Sequence, residues 1–184
     1  MVKYFAILLL CCCSLAWADD FLPHASYQVC FTPGGKCTSE IVAAIDNAQQ
    51  QILVQAFNFT SRPIAHALVR AQQRGAQVKI LFDKSLMDNT WLLYYVKNKH
   101  LWFKIDAQPT IAHNKVMIID EHVVVTGSFN FTRAAQKDNA ENVLIIDDSA
   151  LAQKYAKNWY SREKQSVTAS HLNSVQNITS GHQE

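Results

Sequence analysis

Neither an H-E-x-x-H nor a C-x-x-C arrangement occurs in the 184 residues, so two common routes to a bound zinc ion are closed and no metal is expected. An excess of either charge is also missing, since 17 basic residues against 15 acidic ones leave a net charge of +2. Attraction to a polyanion must then come from local patches rather than from bulk charge. The apolar stretch from Tyr4 to Leu15 falls short of the roughly 20 residues needed to cross a bilayer. The length leaves no room for an evident second domain.

What the first residues do contain is one basic residue, Lys3, then that apolar stretch, then Ala16 and Ala18 in an A-x-A arrangement before Asp19. This reads as a cleavable signal peptide over residues 1–18, with export to the periplasm or the medium. A lipid anchor on Cys11, Cys12 or Cys13 is a poorer reading, because Leu10, Cys11 and Cys12 are poor stand-ins for the small residue expected before a lipidated cysteine. Only Cys30 and Cys37 lie beyond the leader. In an oxidising compartment they are expected to form a disulfide closing the turn Pro33-Gly34-Gly35.

The most informative residues are His113-Asn114-Lys115, Asp120 and Gly127-Ser128-Phe129-Asn130, which together read H-x-K-x4-D-x6-G-S-x-N. Val116-Met117-Ile118-Ile119 suits a strand buried on both faces. Residues two apart on a strand share a side, so His113 and Lys115 are expected to converge while Asn114 faces away. A turn at Asp120-Glu121-His122 and a return strand Val123–Thr126 would bring Gly127–Asn130 beside His113. A phosphodiester repels nucleophiles, and a metal-free site that cleaves one needs a nitrogen nucleophile with cationic or hydrogen-bonding groups around the phosphate oxygens. His113, Lys115, Ser128 and Asn130 are such groups. Asp120 is read as structural, a turn residue paired with a nearby base.

Around this motif helix and strand signals alternate. Thr38 or Ser39 is expected to cap a helix burying Ile41, Ala44, Ile45 and Ala48, followed by a strand Ile52–Phe59. A second helix starts at Ser61 with Pro63 in its first turn and stops at Gly75. Gln77–Phe82 reads as a strand, Asn89 as the cap of a helix through Lys99, and Leu101–Ile105 as another strand. After the motif come a strand Asn142–Ile146 and a helix from Asp148 or Ser149 to about Glu163. The alternation predicts an α/β domain over residues 19–164, a mixed central β-sheet flanked by helices. Residues 165–184 are polar and read as a flexible tail.

From Tyr27 to about Arg162 the chain resembles the phospholipase D superfamily, and within it the small secreted bacterial endonucleases with one motif per chain. The resemblance rests on His113-Asn114-Lys115, on Gly127 to Thr132 and on Ala140-Glu141-Asn142. It implies a phospholipase D-like fold and a two-step hydrolysis without cofactor. His113 would form a phosphohistidine, while a second histidine protonates the leaving oxygen and then activates water. It further implies that Lys115 and Asn130 hold phosphate oxygens, Ser128 assists, and Glu141 orients the imidazole of His113. A neutral ring of defined tautomer needs such a partner.

Two imidazoles in opposite protonation states are required, yet the chain has one H-x-K. His24, His66, His100, His122, His171 and His182 have no lysine two residues on and read as surface or packing residues. The second imidazole must then come from a second copy, in a homodimer with both His113 side chains at the twofold axis. The expected substrate is nucleic acid, DNA and also RNA, with a phospholipase D-type lipid hydrolase as the alternative and an idle nucleic-acid-binding module as a third reading. Arg133 and Lys137, and the interleaved Lys97, Lys99, His100, Trp102 and Lys104, are the candidate backbone contacts. Glycosylation sequons at Asn58, Asn130 and Asn177 fit a bacterial source better, because a glycan on Asn130 would block the site.

Overall fold

In the computed structural model, which describes residues 18–172, apolar residues of period two and period 3.6 sort the described residues into seven strands packed with α-helices. In chain order these are β1 (Ser26–Thr32), α1 (Cys37–Asn47), β2 (Gln51–Ala56), α2 (Arg62–Gln73), β3 (Gln77–Asp83), α3 (Thr90–Asn98), β4 (Trp102–Asp106), β5 (Lys115–Ile119), β6 (Val123–Gly127), α4 (Arg133–Lys137), β7 (Glu141–Asp147) and α5 (Ser149–Gln165). The residues read as a signal peptide lie outside the described part, apart from Ala18.

The strands form one mixed sheet in the order β1-β7-β6-β5-β2-β3-β4. Strands β2, β3 and β4 run parallel, and all other neighbours pair antiparallel. Covering both faces explains the continuous apolar run of β5, in which all five residues are buried. Ile52, Val54, Ile80, Met117 and Ile119 join the helices α1 and α2 in one core layer. Leu53, Leu81, Val116, Ile118 and Val124 meet Ala152, Ala156 and Trp159 of α5 in the other. Trp159, fully buried, donates its indole N–H to the Val54 carbonyl at 2.9 Å and so fixes α5 over the sheet centre.

Local rules account for several boundaries. Asn89 accepts from Leu92 N at 3.1 Å and Asp148 from Leu151 N at 2.8 Å, each capping the helix it precedes. Helix α1 departs from expectation. It begins at Cys37, after Lys36, with no side-chain cap of its own. The disulfide Cys30–Cys37, with Cα atoms 5.5 Å apart, ties its first residue to β1, and Gln136 Oε1 of α4 accepts from Thr38 N at 2.7 Å. A distant side chain thus does the work expected of Thr38 or Ser39. Strand β2 stops at Ala56 rather than Phe59, and Phe59 instead bridges Phe131. Strand β1 and the short α4 were not anticipated. Part of the expected tail is docked as well: Val167 pairs with Ile105, and Ser166 and Ala169 are buried.

Asp120 sits at the end of the sheet where β5 turns into β6, with a left-handed φ of 51°. Its carboxylate accepts from the backbone amides of Gln49, Gln50 and Gln51, each at 2.8 Å. These are its partners in place of the basic side chain expected, and His122 pairs with Asp147 instead. Burial alone would raise the Asp120 pKa, but the three amides outweigh it and hold the carboxyl below its ordinary value. A carboxyl depressed in the folded state contributes stability that is complete above the ordinary carboxylate range and is lost as pH falls through the folded value. Asp120→Ala is therefore expected to lower stability at neutral pH by about 1–2 kcal/mol. The deficit should shrink on acidification below about pH 4, as read from urea unfolding at several pH values.

Candidate active site

The site lies where the parallel strands end, because Lys115 opens β5 opposite Ala56, the last residue of β2. His113 is not part of the strand. It lies in the loop before β5, so its convergence with Lys115 does not follow from the strand pleat as expected. The lysine side chain folds back instead, with Nζ donating to the His113 carbonyl at 2.7 Å and lying 3.1 Å from His113 Nδ1. Phe57, the residue after β2, forms the floor: its ring is 4.6 Å from the imidazole and 5.3 Å from Lys115 Nζ. Phe57 N donates to Asn114 O at 3.1 Å, which holds the two loops together. Asp83, buried at the end of β3, fixes the other side by accepting from Ala112 N at 2.7 Å and Ser85 N at 2.9 Å. Neither Phe57 nor Asp83 carries a sequence signal for this role, since both act through long-range contacts.

Lys115 is 8 % exposed. Burial pushes its pKa below the ordinary lysine value, and the negative charge of Glu141 offsets part of that. This electrostatic link joins the first half of the site to the second. Gly127 ends β6 with φ of +145°, and a Cβ there would stand 2.3 Å from the Asn142 carbonyl oxygen, so only glycine fits. The close approach places Ser128 Oγ where it donates to Glu141 Oε2 at 2.5 Å and accepts from Asn142 N at 3.1 Å. Asn139 Nδ2 donates to the other Glu141 oxygen at 2.9 Å. Phe129 and Phe131, both buried, anchor the segment on either side of Asn130, whose Oδ1 is buried with no hydrogen-bond partner. That oxygen is therefore open to a partner from outside the chain.

Two expectations change on this geometry. Glu141 makes no hydrogen bond to His113 among the described residues; both its oxygens are taken by Ser128 and Asn139. Nor do the interleaved basic residues gather at the site. Lys97, Lys99 and His100 precede the start of β4, at the opposite end of the sheet, while Lys104 pairs with Glu163 at 2.5 Å and Trp102 packs on Trp159. Arg133 and Lys137 do lie at the right end. Both are exposed on α4, just after the Asn130 segment, and line one groove with Arg62. An open concavity of about 500 Å³ adjoins His113 on its other side, with Asn114, Asn158 and Arg162 in its wall. Arg162 is held there by Asp106 through contacts of 2.8 and 2.5 Å.

The chain matches known proteins in sequence and in fold. Residues 41–162 match the family described as cardiolipin synthase, PLD-like domain. A phospholipase D of Rickettsia typhi is 46 % identical over 143 residues, which are 77 % of this chain and 70 % of the relative. Among solved structures, a phospholipase D family member, Nuc from Salmonella typhimurium, superposes with a TM-score of 0.74 at 36 % identity, over 77 % of this chain and 96 % of Nuc. NucT from Helicobacter pylori shares the fold, with a TM-score of 0.67 at 22 % identity over 78 % of this chain and 99 % of NucT.

Gly127→Ala is expected to lower stability by about 2 kcal/mol or more, because both the positive φ and the Asn142 carbonyl oppose the added methyl. Denaturant unfolding of the variant reads this directly, and an unchanged midpoint would show that the turn relaxes freely.

Proposed function

The chain belongs to the phospholipase D superfamily and is a phosphodiester hydrolase, and we propose that its substrate is nucleic acid, DNA or RNA cleaved without sequence preference. The observation that carries the reading is a ring nitrogen beside a buried ammonium that has no carboxylate partner among the described residues: His113 and Lys115, 3.1 Å apart. In the proposed first step a His113 ring nitrogen attacks phosphorus, the P–O bond to the leaving oxygen breaks, and that oxygen takes a proton from a second imidazole. In the second step the same imidazole removes a proton from water, which attacks phosphorus and breaks the P–N bond. Lys115 and the Asn130 amide hold the non-bridging oxygens as charge concentrates on them. Ser128 and Glu141 brace each other at the far side of the phosphate. Among the described residues no group of three or more His, Cys, Asp or Glu is placed to hold a metal, and the scheme needs none.

A general acid must be an imidazolium and the attacking ring must be neutral, so one histidine cannot fill both roles in the same step and a second imidazole is required. We assign it to His113 of a second copy. In support, Tyr27, Val29 and Phe31 leave an apolar stripe on edge strand β1 at 75 %, 45 % and 63 % exposure. Phe31 is paired in register with Asn142, next to Glu141, so the stripe begins at the site. Export as a periplasmic or secreted protein is part of the same reading, supported by the Cys30–Cys37 disulfide. No helix among the described residues is long and apolar enough to cross a membrane.

A lipid phosphodiester is the second reading, favoured by the name phospholipase D carried by the Rickettsia typhi relative. Purified protein assayed on plasmid DNA, RNA and phosphatidyl lipid vesicles in excess EDTA separates the two. Nucleic-acid cleavage that persists in EDTA is expected; lipid cleavage alone would refute the nuclease assignment, and loss in EDTA with rescue by Mg²⁺ would refute the metal-free scheme. His113→Ala should lose more than the roughly 10²- to 10⁴-fold expected for removal of a general acid alone, because one substitution removes both roles. Tyr27→Glu with Phe31→Glu should shift light scattering from dimer toward monomer with a parallel loss of activity. A fully active monomer at all concentrations would refute the shared site.

A further inference from the structure

Beside the Asn130 segment lies a concavity of about 410 Å³, bounded by Thr60, Ser61, Arg62, Thr132, Arg133 and Lys137. It is built on the same backbone as the Asn130 segment. Phe59 bridges Phe131, and the amides of both Thr60 and Ser61 donate to Phe131 O at 2.9 Å. Only Phe131 separates Asn130 from Thr132 at the groove wall. The groove and Asn130 are thus neighbours along one backbone segment.

Four features of the groove fit an anion. No acidic residue lines it. Arg62, Arg133 and Lys137 take part in no ion pair among the described residues. The Arg62 guanidinium lies 5.2 Å from the centre of the Trp91 ring, which limits its freedom before any ligand arrives. Helix α2 begins here, and Arg62 and Ile64 keep N–H groups without intrahelical partners while Pro63 has none to satisfy. A helix start alone would mean little. Ser61, however, occupies the cap position at 4 % exposure, and its hydroxyl makes no capping bond and no other hydrogen bond among the described residues. The hydroxyl of a buried serine on a groove wall, with its capping bond unmade, is free to donate to an outside acceptor.

We infer that this groove is a subsite for the phosphate flanking the scissile one in a nucleic-acid strand, with Ser61 Oγ, the first amides of α2 and the cations Arg62, Arg133 and Lys137 as its donors. The inference rests on the nuclease reading and deepens it. A strand repeats its charge along its length and so presents a second phosphate wherever the first is bound. A lipid with a single phosphodiester has none to place there.

The test compares two substrates in the full-length protein: an oligonucleotide of about a dozen nucleotides and bis(p-nitrophenyl) phosphate, whose single phosphate has no neighbour. Arg133→Ala with Lys137→Ala should lower the ratio of kcat/KM, oligonucleotide over small diester, by about tenfold or more, and Ser61→Ala by a smaller factor in the same direction. For the double variant the slope of log Kd against log salt for oligonucleotide binding should also fall by roughly one. Hydrolysis of the small diester reports that each variant is folded. If the parent cleaves oligonucleotides but ratio and salt slope stay at parental values, the subsite is wrong and the nuclease reading stands. If the variants instead lose hydrolysis of cardiolipin vesicles and keep that of oligonucleotides, the groove serves a lipid headgroup and the inference is overturned. A parent that cleaves the small diester and no oligonucleotide overturns both.

Discussion

A buried ammonium that lacks a carboxylate partner is the constraint around which this site is arranged. Lys115 is nearly inaccessible, and its contacts are a carbonyl, a ring nitrogen and an aromatic face. Burying a charge without a counter-charge is unfavourable by several kcal/mol unless the surroundings compensate. The field of Glu141 supplies part of that compensation, but Glu141 is committed to Ser128 and Asn139. Under the proposed function, a phosphodiester placed between the two halves would supply the rest, so that the charge that binds the substrate is the one the fold leaves without a carboxylate.

The sheet supplies the rigidity that this arrangement demands. β5 is central, paired to β2 along its whole length and to β6 from Met117 to Ile119, so the strand that carries Lys115 cannot slide without breaking two ladders. At the far end of the same strand Asp120 grips the start of β2 through three amides. Fixing the register there fixes which residue of β5 faces Phe57. Asp120 thereby matters to the site without approaching it. The disulfide has a comparable indirect effect: it fixes the start of α1, which meets Gln136 of α4, the helix that follows Asn130.

The strongest sequence signals were local ones. The alternation of helix and strand, the caps at Asn89 and Asp148 and the turn at Asp120 each depend on residues within a few positions, and they read correctly. The shared position of His113 and Lys115 was also legible, though for a different reason: the flexible lysine reaches back where a strand pleat was expected. Long-range partners left no trace in the sequence. Phe57, Asp83 and Arg62 acquire their roles only when β2, β3 and β5 lie side by side, and Gln136 caps a helix almost a hundred residues away. Strand β1 escaped notice because its Tyr27, Val29 and Phe31 face outward rather than into the core. Lys104 misled because a basic residue beside a tryptophan looks the same in sequence whether it awaits a phosphate or pairs with Glu163.

The orientation of His113 connects this geometry to symmetry. Lys115 Nζ lies 3.1 Å from His113 Nδ1, and while the ammonium donates there the ring has no second proton to give. An approaching phosphate offers Lys115 a better acceptor and would release the ring. Under the proposed shared site the two rings meeting at a twofold axis must then hold one extra proton between them, since a doubly neutral pair lacks the acid and a doubly charged pair lacks the nucleophile. The neutral ring attacks phosphorus and the imidazolium protonates the leaving oxygen. That single proton would break the symmetry of the pair and assign the roles, with no second kind of histidine in the sequence.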